Sequence, residues 1–384
     1  MSDIERRARV AMRQALHPDA QVIGSVGAAR AVVALHATEP ASVYLSAWAR
    51  ARAPREDVET AIAERRLVRQ LSMRRTVFAV PADLLPALYA SVCPRIAQRE
   101  RKALVKAAAL AGVPGRPEDW AERAVDAVVA ELDHSEPLTA REIRERVPEV
   151  DGSYQQGAGT KWASTVQLAP KVLPIAALEG RIVRCTEGGD WRTSTPRWTA
   201  TSRWLGAMER LGEREGYAEA VRRWLATHGP GTVDDAAWWL GATKAAVRTA
   251  LTDLEAIPVS LDGGQVGWLL PDDVEPVASP ERWVALLPLL DPTIMGWRDR
   301  TFLLGPHRPR LFDSVGNAGT TALVDGRVVG VWVQDDTQRV RVRLLESIDD
   351  GARRALEAEA AHLTEWLGGQ RVFSVYPSAA MRGD

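Results

Sequence analysis

"GPGTVDDAAWWLGATKAAVRTALTDL", residues 229–254, is the most sharply punctuated stretch of the chain. Thr232 and Asp235 have the spacing of a capping box, with Asp where Glu is usual, so a helix starts at Val233. Gly241 ends that helix and Thr243 caps a second one. Two helices joined by a short Gly-containing turn make a helix-turn-helix. "IPVSLDGGQVGWLL" follows, with Gly263-Gly264 placed to turn a hairpin. A helix pair followed by a hairpin is the plan of a winged helix.

The plan recurs upstream. "EPLTAREIRERVPEV" (136–150) has Thr139 as N-cap, with Ile143 and Val147 four apart. "KWASTVQLAPKVLPIAALEGRIVR" then predicts a helix with a β-rich end, and "EGGDWRTSTPRWT" a turn and second strand. Nearer the start, helices are expected over 4–16 and 25–37, the latter from Val26, Ala29, Val33 and Ala37 near helical spacing. A third runs from Pro54 to about Arg66, with Pro first and acids in its first turn. "RRLVRQLSMRRTVFAVP" ends in β-formers and predicts a strand or short hairpin.

The last hundred residues differ. "WVALLPLLDPTIMGWRDRTFLL", "GTTALVDGRVVGVWVQ" and "QRVRVRLLES" read as strands, with Asp325-Gly326 a hairpin turn. A helix over 350–367 and a short strand, "RVFSVYP", close the chain. The expected fold class is α+β: tandem winged helices and a C-terminal β-rich domain. The expected domains are 1–130, a first winged-helix region; 131–205, a second winged helix; 206–275, a third; and 276–384, the β-rich domain.

Composition limits the function classes. At 384 residues with 46% apolar and 26% charged residues, the chain can build several soluble cores. No uncharged apolar run reaches the roughly 18 residues that span a bilayer, and the charged start MSDIERRARV lacks a signal-peptide core. Two cysteines, Cys93 and Cys185, imply no disulfide framework. A cytoplasmic monomer without membrane contact is expected. The net charge is only −1, yet residues 1–110 hold 18 Lys or Arg against 10 Asp or Glu, net +8, leaving −9 for the rest. A basic domain on an acidic remainder suits a phosphate-tracking surface, though Arg-rich helices can also simply solvate one face.

Several motifs fail on spacing. "GSYQQGAGTK" lacks the Lys directly after the second Gly of a phosphate loop, and Gly24 and Gly27 make no dinucleotide fingerprint. The six His are scattered with no ligand spacing, and no Gly-x-Ser-x-Gly elbow occurs. Neither a metal nor a cofactor is expected. Fourteen Trp are many, and packing is the ordinary use of so large a ring.

Four segments, "LHATEPASVYLSAWARAR" (35–52), "LVRQLSMRRTVFAVPADL" (67–84), "GPGTVDDAAWWLGATKAAVRTAL" (229–251) and "LLPLLDPTIMGWRDRTFLL…GTTALVDGRVVGVW" (286–332), occur in the order of a known family. The chain resembles the AlkZ/YcaQ-type winged-helix DNA glycosylases. The resemblance implies hydrolysis of the N-glycosidic bond of alkylated purines in double-stranded DNA, bulky or crosslinked adducts included. Relatives carry Gln-x-Gln or Gln-x-Asp as the catalytic pair; here the positions are His36 and Thr38.

An N7- or N3-alkylated purine is cationic, so its glycosidic bond is already weakened, and catalysis reduces to placing a water on C1′ and stabilising an oxocarbenium-like sugar. A neutral His36 could hold or deprotonate that water, Thr38 could orient it, and Glu39 could add electrostatic support. His36 and Thr38 share a face only where the chain is extended, and Pro40 disfavours helix at Glu39. The competing reading makes His36 a helix end favoured by the dipole. Arg50, Arg74, Arg75 and Thr76 are the candidate DNA contacts, although packing and positioning is the favoured role of Arg50 and Trp48, and Arg74 could bridge to Asp291 or Glu39. Asp291, Trp297, Asp299 and Arg300 read as a supporting network joining the β domain to the first winged helix. The rival function is a non-catalytic winged-helix DNA-binding protein, a regulator or lesion binder that lost the Gln pair.

Overall fold

Three times the chain runs helix, short strand, two helices and hairpin, and each time the short strand pairs with the hairpin's last strand. A computed structural model describes all residues except 158, 160–162, 373, 375, 376 and 384, and the side chain of Glu187. In the first unit the helix Gly24–Arg30 leads to the strand Leu35–His36, the helices Pro40–Ala51 and Arg55–Ala63, and the strands Leu67–Ser72 and Thr76–Pro81. Leu35 pairs with Ala79 and His36 with Phe78. The second unit has Pro117–His134, Leu138–Thr139, Ala140–Arg146, Ala169–Leu178 and the hairpin Ile182–Gly188 with Thr195–Ala200, Leu138 pairing with Trp198. In the third, Glu213–His228 precedes Val233–Leu240, Lys244–Asp253 and the hairpin Ile257–Ser260 with Val266–Leu269. Its short strand shrinks to one bridge, Gly231 with Trp268.

The capping chemistry read from the sequence is in place. Thr139 with Glu142, and Thr232 with Asp235, form two-way capping boxes, and Thr243 caps Lys244–Asp253. Gly241 closes its helix at φ 70°, a left-handed conformation natural to glycine. The first two units merge into one six-stranded sheet, joined where Arg69 faces Arg184.

Four expectations need correction. The helix expected over 25–37 stops at Arg30, because Val33 turns left-handed at φ 69° and Leu35–His36 is drawn into pairing with Phe78 and Ala79. Of 283–304 only Val284–Leu287 is strand; Pro288 and Pro292 lack the N–H a ladder needs, and Asp291 caps a short helix, Pro292–Met295. The boundary at 130 falls inside Pro117–His134, whose buried Trp120, Ala124, Val128 and Leu132 belong to the second unit's core. A hairpin, Ser153–Gln156 with Ser164–Gln167, interrupts that unit between its second and third helices. Phe373, Val375 and Tyr376 of "RVFSVYP", and Ala158, Thr160 and Lys161 of "GSYQQGAGTK", lie outside the described residues.

The C-terminal part is a four-stranded antiparallel meander, Val284–Leu287, Thr321–Val324, Arg327–Gln334 and Val340–Leu344, covered by the helix Asp350–Leu367. Between its first two strands, residues 288–320 leave the sheet and reach the first and third units. There Asp291, wholly buried, meets Arg50, also wholly buried, at 2.7 Å. Ser46 Oγ donates to Asp291 at 2.6 Å and the Thr293 N–H at 2.9 Å. The Thr293 hydroxyl donates to Gln14 Oε1 at 2.6 Å, and Gln14 Nε2 to the Thr227 carbonyl at 3.1 Å. One polar chain thus ties the N-terminal helix Asp3–Arg13, the helix Pro40–Ala51, the excursion and the third unit.

Removing one partner of a buried pair strands the other charge, so Asp291→Ala should lower unfolding free energy by about 3–5 kcal/mol. Arg50→Met with Asp291→Leu should recover part of that loss. Denaturant unfolding of the single and double variants checks both, and equal losses would dismiss the pairing as the cause.

Candidate active site and DNA interface

The short strand Leu35–His36 holds His36 in extended chain, buried, with its ring edge-on to Phe78 at 5.1 Å. The chain therefore leaves the helical state before Thr38. Thr38 is exposed and Glu39 half-buried, and no hydrogen bond joins His36 to either. The His36 Nδ1 is buried and without a partner among the described residues. Burial, and then the positive charge of Arg74, push its pKa down to about 3, with Asp291 opposing weakly. His36 is thus a neutral imidazole throughout the physiological range. It can position a water or donate a hydrogen bond, but it is a poor proton acceptor. Glu39 is raised above the usual carboxylate range by burial.

Arg74 and Arg75 sit at the tip of the first hairpin, and both take left-handed φ, 55° and 62°. Arg74 lies over the Trp238 ring at 4.1 Å. A Cβ on Gly241 would come within 3.2 Å of the Arg74 backbone nitrogen, so glycine lets this turn close against the helix-turn-helix of the third unit. Arg75 is exposed and held by Glu100 at 2.5 and 3.0 Å. Thr76, half-buried, opens the following strand.

Arg74 and Arg75 line a groove with Arg95, Gln98, Arg99 and Lys102 of the long helix Val92–Ala111. Arg95, Arg99 and Lys102 are exposed and have no carboxylate partner among the described residues. Spacings of four and three put them on one helix face, a stripe that the +8 of residues 1–110 contained without singling it out.

Other expected contacts lie elsewhere. Arg50 cannot touch DNA, because its guanidinium is spent on Asp291, Thr293 and the Ser46 carbonyl. Asp291 meets Arg50 rather than Arg74. Burial alone would raise the Asp291 carboxyl, but Arg50, Ser46 and the Thr293 N–H bring it below the usual range. Trp48 packs under Arg52 and near Trp366 of the C-terminal helix. Trp297 serves the third unit, donating from Nε1 to the His228 carbonyl at 3.0 Å. Asp299 accepts from Thr301, and Arg300 lies over Trp238 at 5.0 Å and Phe312 at 4.8 Å. The sequence pointed to neither Trp238 nor Phe78 for this neighbourhood.

A family model for AlkZ-like DNA glycosylases matches residues 29–366. The chain belongs to the AlkZ-like DNA glycosylase family. Its fold is that of the solved Streptomyces sahachiroi DNA glycosylase AlkZ, with a TM-score of 0.74 at 20% identity, covering 97% of this chain and 98% of that one. A curated relative from Streptomyces sahachiroi, an interstrand DNA cross-link repair glycosylase, is 27% identical over 167 residues. That alignment spans 41% of this chain and 44% of the relative, less than half of either. Among the described residues no helix is long and apolar enough to cross a membrane.

A second buried histidine, His228, is also pushed down to about 3 by burial. Both folded pKa values lie below the unfolded value of about 6.5, so each histidine contributes stability that is full above pH 6.5 and lost as pH falls toward 3. Together they should add a slope of up to about 2.7 kcal/mol per pH unit below the unfolded pKa. Denaturant unfolding at several pH values between 6.5 and 4 should show this, and His36→Gln should remove about half. An unchanged slope would mean that His36 is protonated in the fold.

Proposed function

We propose that the chain is a DNA glycosylase that hydrolyses the N-glycosidic bond of alkylated purines in duplex DNA, bulky and crosslinked adducts included, in the cytoplasm and as a monomer. The observation that carries this reading is the family match over residues 29–366, the span that holds His36, Arg74, Asp291 and Arg300. On this reading the three repeated units are tandem winged helices, spanning about 24–81, 117–200 and 213–269. The β-rich part from 284 onward braces the first and third.

The geometry supports a division of labour. Arg95, Arg99 and Lys102 are free to track a DNA backbone along the groove, whereas Arg75 must first yield Glu100. Arg74 links groove to site, because it lines the one and its charge reaches His36. His36 holds the hydrolytic water through a neutral ring nitrogen, as the relatives' Gln would through an amide. Thr38, exposed beside it, and Glu39 assist from the substrate side. Since a cationic base is a good leaving group, positioning suffices and a strong base is unnecessary.

His36→Ala should lower the rate of base release from N7-alkylated duplex about 10²-fold or more while leaving DNA affinity nearly unchanged. Thr38→Val should cost less. His36→Gln with Thr38→Gln should retain activity. The wild-type rate should show no inflection near pH 6.5, since His36 stays neutral. Tight binding with no release from any alkylated or crosslinked duplex would favour the non-catalytic DNA-binding reading instead.

Affinity should fall steeply with salt, and Ala at Arg95, Arg99 and Lys102 together should reduce the slope of log K against log salt by about 2–3. A slope unaffected by the triple substitution would move the DNA path off this groove.

A further inference from the structure

Arg74 and Arg300 come from distant parts of the chain, yet both guanidiniums lie over one indole, that of Trp238, at 4.1 and 5.0 Å. Arg9, Arg50 and Arg13 each meet a carboxylate within ion-pair distance. Neither Arg74 nor Arg300 does so among the described residues, and each leaves its Nε buried without an acceptor. Asp235 and Asp299 are near enough for Arg300 to feel, but both are engaged. Asp235 accepts from Thr232 and from the N–H groups of Arg298 and Asp299, and Asp299 accepts from Thr301. Arg308 adds a further positive charge.

Two unpaired cations sharing a half-buried ring oppose folding unless something offsets them. Burial first, and then their neighbours' positive charge, bring both down to about 10. They remain fully charged at neutral pH. The ring contact helps to hold both guanidiniums and leaves N–H groups for an anion that offers two oxygens. Arg300 is held further by donating from Nη1 to the Ile294 carbonyl at 2.9 Å, so its position is set before any ligand arrives.

The location selects the anion. Arg74 forms one wall of the basic groove along Val92–Ala111, and its charge is felt at His36. An anion here is joined to whatever polymer fills the groove and lies beside the reacting residue. We infer that Arg74 and Arg300, stacked on Trp238, form a binding site for one phosphodiester of the DNA strand, adjacent to the nucleotide that faces His36. This rests on the glycosylase reading and adds to it a fixed register of backbone against site, set by the third unit and the C-terminal excursion rather than by the first unit alone.

The test is a set of N7-methylguanine duplexes, each with a single neutral methylphosphonate at one linkage around the lesion. For the wild type, one linkage should reduce kcat/KM about tenfold or more, the scale of one lost charge-assisted contact. Arg74→Gln and Arg300→Lys should lose a similar factor on the unmodified duplex and almost nothing further at that linkage, while staying sensitive at the others. A merely structural arginine would show no such position-specific coupling. If every methylphosphonate lowers wild type and variants by the same factor, the site is refuted. Should Arg300→Lys not fold, the cycle is run with Arg74→Gln alone, whose turn is half-exposed. The same cycle read in Kd needs no catalysis. Absence of base release would therefore defeat the glycosylase reading, while Kd coupling would still decide the phosphodiester site.

Discussion

Arg50 and Asp291 stand opposite each other at 2.7 Å with no exposure to water, and the arrangement of the whole chain follows from what either would cost alone. An unpaired buried charge is penalised by several kcal/mol, so the helix carrying Arg50 and the excursion carrying Asp291 cannot drift apart without strong opposition. The helix Pro40–Ala51 is buried on nearly all sides and begins four residues after His36. Asp291 also caps the short helix Pro292–Met295, which leads the chain on to Trp297 and Arg300. One ion pair therefore fixes the strand that presents His36 relative to the segment that presents Arg300. Gln14 and Thr293 extend the constraint to the N-terminal helix and the third unit.

Close approach on the aromatic side depends on absent side chains. A Cβ on Gly231 would collide with the Trp224 ring, and one on Gly296 with the imidazole of His228. These glycines let Trp224, Trp297 and Trp239 surround His228, and Trp239 in turn lies near Phe78, on which His36 rests. The hairpin tip closes against Gly241 and pays for it in conformation, because Arg74 and Arg75 adopt left-handed φ where glycine or asparagine is usual. Side chains that must reach a neighbour explain why arginine stands there. Arg75 reaches Glu100 and Arg74 reaches Trp238.

Local order was legible where capping and turn chemistry are local. Thr139, Thr232 and Thr243 cap the helices their spacing foretold, and Gly263-Gly264 and Asp325-Gly326 turn hairpins. Partners distant in the chain were not legible. Val33 and Ala37 fit a helical repeat, and only pairing with Phe78 and Ala79, some forty residues on, makes that segment extended. Arg50 looks like any exposed helix-end arginine until Asp291 is brought to it. The stripe of Arg95, Arg99 and Lys102 was present in the spacing but diluted by Glu100, which the fold assigns to Arg75. His36, by contrast, became a candidate through resemblance alone, and its neutrality follows from burial that no local pattern encodes.

On the proposed reading, DNA completes the electrostatics of the site. Departure of an alkylated base leaves positive charge on the sugar, and two unpaired guanidiniums nearby oppose its development. Asp291 offers little relief, because Arg50 neutralises it, and burial works against the charged form of Glu39. A phosphodiester between Arg74 and Arg300 reverses the balance. In the proposed complex it cancels the repulsion that these residues otherwise exert and sets the adjacent nucleotide against His36. The neutral imidazole then has only to hold a water, a task for which a pKa near 3 is no handicap. On this argument the substrate backbone supplies the negative charge that Asp291, already committed to Arg50, does not provide.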